Sequence, residues 1–504
     1  MPGEDKRTQM NYTVLIITLG CKVNQYDSGV IYGSFRQRGF QQYMSTPAPG
    51  AARSGPDIVI VNTCIVSAES ERKSRQAIRR MRAKYPSALL AVAGCYPQRF
   101  PSQVSEIAGV DFISGISGRE ALVEWAVARM SDNRSNYRSN QEAQSGETCS
   151  ASKAAAPPPN APTVSPRVLT VSPFVPAAPP QYIPGSGGRT RSYVKIQDGC
   201  NNFCSYCIVS YTRGRARSRD LYEILNEVDF AASGGAPEIV LTGINISSYS
   251  GSKYSDTTNV DNTDGGAACD TIDLGGLIDT VSKRLRSREK FMRLRLSSLE
   301  PTAVTPGFVK ILSDNRDVLC PHFHLSLQSG SETVLRRMNR AYTPAEYIEV
   351  VSMLRSEFPE AGLTTDVITG FPGESEDEFQ ETYDLCRRIA FSKIHVFPYS
   401  KRPGTRAADL PDHISPQKKR ERTRRLIELS DELSLAFHRS HMGKDIRVLV
   451  ESVTDKYAEG ITGNYIKARA QLTDSLPQCV ARRGEYIAVR VTDASPSRVN
   501  GIIV

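Results

Sequence analysis

The stretch DGCNNFCSYCIVSYTRG, Asp198 to Gly214, sets three cysteines, Cys200, Cys204 and Cys207, within eight residues. It overlaps the end of YVKIQDG, an apolar run of the kind that forms a buried strand. A structural zinc ion closes a tetrahedron with four ligands, usually from CxxC pairs, and no second pair or HxxxH follows at the usual distance. A cubane four-iron, four-sulfur cluster takes one thiolate per iron. Three thiolates would leave one iron open to a substrate or cofactor, as in catalytic rather than structural metal sites.

Outward from this stretch, residues 193 to 400 hold six strand-like runs: YVKIQDG, EIVLTGIN, MRLRLSS, FHLSLQSG, TTDVITGFPG and KIHVFPYS. Amphipathic helical segments such as LYEILNEVDFAAS and AEYIEVVSMLRSEF separate them. Repeated βα units predict a full or partial barrel with its site at the carboxyl ends of the strands, and six units predict an open one. The three thiols lie just after the first strand.

Residues 13 to 130 show the same alternation. The apolar runs VLIITLGC, DIVIVNTC and ALLAVAGC end in Cys21, Cys64 and Cys95, each where a buried strand gives way to a loop. In an open parallel sheet these ends share one edge, so the three cysteines are expected to converge there. The fold class is therefore α/β: an open parallel amino-terminal domain over 11–130, then a partial (βα)6 barrel with a basic helix over 189–440. Between them, 131–188 is rich in Ser, Ala and Pro and reads as a disordered linker containing Cys149. A second polar insertion, Tyr249 to Asp270, carries Cys269 and reads as a surface loop.

The basic helix QKKRERTRRLIELSDELSLAFHRSHM has Lys418, Lys419, Arg420, Arg422, Arg424 and Arg425 near its start. Such a run is either a solvated face or a polyanion contact. From 441 to 504, period-two runs broken by turn residues predict a small antiparallel β-barrel, a shape that often binds oligonucleotides and can equally be a packing appendage. Cys320, Cys386 and Cys479 have no partners in spacing and read as buried small apolar residues.

The chain has 504 residues, a formal charge of +9 and eleven cysteines. That length suits two or three domains. The polar start and the lack of a long apolar run argue against secretion or membrane insertion, so the chain reads as cytoplasmic. In a reducing compartment the cysteines are metal ligands, catalytic thiols or core residues before they are disulfides. The basic excess fits a polyanion partner without requiring one.

The CxxxCxxC of Cys200, Cys204 and Cys207, with Tyr206 before the last cysteine, resembles the radical S-adenosylmethionine motif. TLGCKVNQYDS, VNTC, AGCYPQ, LTGINISSY, RLSSLEP, HFHLSLQSGSETVLRRMNRAYT, TTDVITGFPGE and IHVFPYSKRPGTRAA extend the resemblance to one branch, the methylthiotransferases. The resemblance implies two 4Fe-4S clusters, one on Cys200, Cys204 and Cys207 and an auxiliary one on Cys21, Cys64 and Cys95. It also implies S-adenosyl-L-methionine as cofactor and a terminal TRAM domain that binds tRNA. CKVNQYDS, QDGCNNFCSYC, the SRQ at Ser74 to Gln76 and FPYSKRPGT look most similar to the MtaB type, which methylthiolates carbon 2 of N6-threonylcarbamoyladenosine next to the anticodon. By the same resemblance, one S-adenosylmethionine methylates a sulfide of the auxiliary cluster. A second yields the deoxyadenosyl radical that removes the carbon 2 hydrogen. The chain departs from the pattern in TPAPGAARSGP between Cys21 and Cys64, in its long linker, and in IVSYTRG after the motif.

In this reading Tyr206 packs near the cofactor's adenine, and Gly370, Phe371 and Gly373 form a strand-end turn that lets backbone approach the adenosine; a core tyrosine and a plain turn are the alternatives. Gly243 in TGIN and Gln328 in LQSG lie at the same mouth as further cofactor candidates. Arg213, Arg217 and Arg219 after the thiols, and Arg72 and Lys73 after Cys64, are phosphate-contact candidates, with solvated charge as the alternative. The implied partners are tRNA, a low-potential electron donor such as flavodoxin or ferredoxin, and a sulfur donor of unknown identity. Competing readings are methylthiolation of isopentenyladenosine in tRNA or of a ribosomal protein aspartate, and, in another class, a non-catalytic iron-sulfur tRNA-binding protein. A plain methyltransferase would not need Cys21, Cys64 and Cys95.

Overall fold

The computed structural model describes residues 12–43, 55–144, 167–168, 190–252, 271–472 and 481–504. The chain divides into two compact units, Met1–Tyr182 and Ile183–Val504. Cys149, Cys269 and Cys479 lie outside the described residues.

The first unit is built from β1 (Thr13–Thr18), α1 (Lys22–Gln37), β2 (Gln41–Gln42), β3 (Ile58–Thr63), α2 (Ala68–Lys84), β4 (Leu89–Gly94), α3 (Cys95–Arg99), α4 (Pro101–Ser105), β5 (Phe112–Ile113), α5 (Arg119–Gln144) and β6 (Arg167–Val168). Its sheet runs β2-β1-β3-β4-β5-β6, and every pairing is parallel. All six residues of β3 are buried, as a central strand covered on both faces requires. The expected linker boundary at 130 is corrected: α5 continues to Gln144, and Arg167–Val168 pairs with β5. An edge strand needs only backbone partners, so a polar, Pro-rich composition does not prevent two residues from joining the sheet.

The second unit opens with β7 (Arg191–Lys195), β8 (Gln197–Asp198), α6 (Val209–Arg213), β9 (Arg217–Ser218), α7 (Leu221–Ser233) and β10 (Glu238–Thr242). It continues through β11 (Ser250–Ser252), β12 (Thr271–Asp273), α8 (Leu274–Arg286), β13 (Arg293–Leu296), α9 (Pro306–Asp314), β14 (His322–His324), α10 (Glu332–Arg337), α11 (Pro344–Glu357), β15 (Gly362–Thr369), α12 (Glu376–Ile389), β16 (Lys393–Pro398) and α13 (Pro416–Arg439). Two parallel three-stranded sheets, β13-β10-β7 and β14-β15-β16, meet through isolated parallel bridges such as Leu294 to Leu319, giving the partial barrel of six strands. Capping boxes at Thr343/Glu346 and Ser375/Glu378 start α11 and α12. The insertion expected as a loop is zipped at its base by antiparallel β11 and β12.

The last five strands, β17 (Asp445–Val453), β18 (Tyr457–Thr462), β19 (Lys467–Gln471), β20 (Tyr486–Ala494) and β21 (Val499–Ile503), close into a barrel in the order β17-β18-β19-β21-β20. The expected all-antiparallel pairing is corrected at β19 and β21, which run parallel. A closed ring with an odd number of strands cannot alternate direction all the way round. This barrel docks on the amino ends of the radical-barrel strands. Glu238, the first residue of β10, is fully buried between Arg293 and Arg295, and these arginines donate to the carbonyls of Ile461 (2.9 Å), Thr462 (3.0 Å) and Gly463 (2.9 Å).

Candidate active site

The thiol loop is framed by backbone geometry. Antiparallel β8 and β9 pair Gln197 with Ser218 and Asp198 with Arg217, and Cys200 N–H donates to the Gly214 carbonyl at 3.1 Å. Gly199 turns the chain at φ +72, and a Cβ there would lie 2.0 Å from the Arg215 carbonyl oxygen, so no side chain fits. Asp198 anchors the frame: it accepts from Lys195 Nζ at 3.0 Å, Arg213 Nη1 at 3.1 Å and its neighbour Gly199 N–H at 2.9 Å. Burial alone would raise its pKa, but Arg213 and Lys195 outweigh that and hold the carboxyl well below the usual range. Gln197 Oε1 accepts from the N–H groups of Ile244 (3.1 Å) and Asn245 (2.9 Å), tying the loop to the end of β10.

Cys204 is buried, while Cys200 and Cys207 are half-buried. Desolvation pushes the Cys207 thiol up to about 12 and raises that of Cys200. Thiols so placed ionise only against a cation, and a metal centre supplies one. A three-sulfur donor set beside a guanidinium fits an iron-sulfur cluster: Arg340 Nη1 donates to Cys204 Sγ at 3.1 Å, and Asn202 N–H approaches Cys200 Sγ at 3.5 Å. Arg340 also pairs with Glu300 and lies over the Tyr342 ring at 4.9 Å. Asn202, Glu300, Thr302, Asn339, Arg340 and Tyr342 border a cavity of about 270 Å³ at this place.

Arg340 and Glu300 were not singled out from sequence, although both lie in the motifs RLSSLEP and HFHLSLQSGSETVLRRMNRAYT. Their role depends on a turn after α10: Asn339, at φ +57, reverses the chain and bonds through Nδ2 to the Asn202 carbonyl at 3.1 Å. Ser205 closes the same contact through its N–H to the Met338 carbonyl at 3.0 Å.

The cofactor candidates divide. Gly243 sits against Gln197, and a Cβ there would come within 2.9 Å of the Gln197 carbonyl oxygen. Gln328, at φ +66, bridges to β15 through Asp366 O at 2.8 Å. Tyr206 is half-buried against the layer of Val334, Met338, Ile368, Phe371, Tyr399 and Ala407. Phe371 is wholly buried in that layer. Gly370 and Gly373 have positive φ, and a Cβ on Gly370 would meet Lys419 Cγ at 2.5 Å while one on Gly373 would lie 3.4 Å from Arg337 Nη1, so α13 and α10 pack close to this turn.

The arginines divide as well. Arg213 is buried on Asp198, so its expected phosphate contact is corrected. Arg219 pairs with Glu223 and Glu227 and donates to Lys195 O, and Arg217 donates to the Arg213 carbonyl at 2.8 Å; both serve the loop frame. Arg72 and Lys73 are exposed on α2, where both pair with Glu69. On α13 the inward stripe takes Lys419, Arg422 and Arg425 for Tyr399, Glu374 and Glu376, leaving Lys418, Arg420 and Arg424 exposed.

The second thiol group lies in the first unit. Cys21 caps α1 after β1, Cys64 follows β3 and Cys95 begins α3 after β4, three adjacent strands of one sheet. The structure brings them together around Asn24: Cys21 Sγ and Cys95 Sγ lie 4.0 and 3.9 Å from Asn24 Oδ1, and Asn24 Nδ2 donates to Leu19 O and Thr63 O at 2.8 Å. Gly20, at φ +102, has its Cβ direction 2.7 Å from Cys64 Cβ, so only glycine permits this approach. Three thiols without an interleaved carboxylate again suit iron and sulfide. Cys320 and Cys386 are buried, as expected for core thiols.

Residues 194–386 match the family model for the radical SAM superfamily, and residues 13–115 that for the uncharacterized protein family UPF0004. The threonylcarbamoyladenosine tRNA methylthiotransferase MtaB of Bacillus subtilis is 32% identical over 92% of this chain and 91% of its own. The tRNA-2-methylthio-N(6)-dimethylallyladenosine synthase of Pelotomaculum thermopropionicum is 30% identical over 97% of both. The radical S-adenosylmethionine methyltransferase TsrM of Kitasatospora setae shares the fold at a TM-score of 0.50 and 15% identity, over 79% of this chain and 75% of that one. The two family models, with 30% identity or more along nearly the whole length, make the chain a member of the radical S-adenosylmethionine tRNA methylthiotransferase family, a transferase that uses S-adenosylmethionine and 4Fe-4S clusters.

Proposed function

We propose that the enzyme methylthiolates carbon 2 of N6-threonylcarbamoyladenosine next to the anticodon of tRNA. The observation that carries the reaction is the pair of separate cysteine triads, since methyl transfer alone would need one. In this proposal Cys200, Cys204 and Cys207 hold the cluster that binds S-adenosylmethionine, and Cys21, Cys64 and Cys95 hold the auxiliary cluster. Together these groups supply the one-electron chemistry and the sulfur needed at an aromatic carbon with neither an acidic proton nor a leaving group. Glu300 and Arg340 offer the opposite charges that an α-ammonium and an α-carboxylate require, beside Cys204. Gln197 and Asp198 keep the loop in register with the strand ends, and the Phe371 layer keeps water from its apolar side.

The names of relatives favour the threonylcarbamoyl substrate. Relatives in Bacillus subtilis and Aquifex aeolicus, each 32% identical, carry that name. The remaining assignments follow: Arg72, Lys73 and the exposed bases of α13 meet tRNA phosphate, the terminal barrel is a TRAM domain, a flavodoxin or ferredoxin supplies electrons, and the work is cytoplasmic. The test is mass spectrometry of tRNA nucleosides from cells with and without the gene. Loss of 2-methylthio-N6-threonylcarbamoyladenosine with accumulation of its precursor is expected. Loss of the methylthio-isopentenyl nucleoside instead would transfer the assignment to the second reading.

A further inference from the structure

The second half of the radical barrel carries a cluster of ligand-type side chains apart from both thiol groups. Asp366 on β15 and His395 on β16 are register partners, and His324 ends the neighbouring strand β14. Their nearest ligand atoms all lie within 4.8 Å of one another, and His324 Nε2 stands 3.3 Å from Asp366 Oδ2. We propose that His324, Asp366 and His395 bind a divalent transition-metal ion of the zinc class, as a set of two imidazoles and one carboxylate.

Three features argue for an ion rather than a simple histidine-aspartate pair. A charge-assisted N–H to carboxylate bond settles at roughly 2.7 to 2.9 Å. Two ligands about 2.1 Å from one tetrahedral ion stand about 3.4 Å apart, which is the spacing of His324 and Asp366. The hydrogen bonding is compatible with this: His324 Nδ1 is 2.9 Å from Thr364 Oγ1, which His322 Nε2 also approaches at 3.1 Å, and with the proton on Nδ1 the Nε2 lone pair is left toward Asp366. A hydrogen bond from the other ring nitrogen is what orients a metal-ligating histidine, and here a hydroxyl stands at that position. Finally, His324 is buried, Asp366 half-buried and His395 exposed, so the set runs from the core to the surface. Three protein ligands leave a position open on the exposed side for water or a substrate oxygen. The site stands whichever nucleoside the enzyme takes.

The test uses the full chain with both clusters reconstituted and iron and sulfide assayed. Zinc is measured by elemental analysis after dialysis, and Co²⁺ is titrated as a spectroscopic probe. One ion per chain beyond the cluster iron is expected, with Co²⁺ bands free of sulfur charge transfer. His395→Ala, on an exposed position, should weaken binding ~100-fold, and Thr364→Val ~10-fold, with iron and sulfide unchanged. No extra ion at ~100 µM free metal would overturn the proposal. Equal binding by wild type and His395→Ala, or Co²⁺ bound with sulfur charge transfer only, would overturn it as well.

Discussion

With a cluster on Cys204 as proposed, the contact between Arg340 and that thiol would link one side chain to the cluster's electronic state. A guanidinium donating to a ligand sulfur stabilises added negative charge, so it favours the reduced form of a cluster held there. Replacing Arg340 with Met should therefore make that cluster harder to reduce. A loss of ~1.4 kcal/mol corresponds to a midpoint on the order of 60 mV more negative for one electron. A potentiometric titration followed by electron paramagnetic resonance reads this directly, and an unchanged midpoint would reduce Arg340 to a packing residue. The sequence showed the six thiols, because cysteine at a strand end is a local signal. It could not show Arg340, because the residue reaches Cys204 across 136 positions of chain.

Among the elements, α13 changes most between its appearance in sequence and its place in the fold. A run of six bases looks the same whether it faces solvent or carboxylates, and the difference is made by which carboxylates pack against it. Arg422 is wholly buried on Glu374, which in turn accepts from Gly370 N–H at 2.7 Å, so the helix supports the turn after β15. Arg422→Met leaves Glu374 buried without its partner and should cost about 3 kcal/mol or more of stability. Denaturant unfolding measures it, and adding Glu374→Gln should recover part of the loss. The strands, by contrast, were legible from apolar runs, whereas β8 and β9, two residues each, and the hairpin at the insertion carry no periodicity to read.

At the scale of the whole second unit, Glu238 joins the radical barrel to the terminal barrel. Burial would raise its pKa, but Arg295 and Arg293 hold it at about 2. A carboxylate with a depressed folded value contributes stability that is present above its unfolded value, near 4.3, and lost as pH falls through the folded one. The attachment should therefore weaken between about pH 5 and pH 2, and Glu238→Gln should lose that dependence; limited proteolysis across this range, followed at the 440–445 junction, checks both. The same attachment fixes a distance. The terminal barrel sits at the amino ends of the strands while the thiols sit past the carboxyl end of β7, and an eight-residue strand such as β15 is about 25 Å deep. An RNA gripped on the small barrel would meet the chemistry only at a set span from that grip, so the docking would act as a ruler that picks the nucleotide by its position along the stem before any base is read.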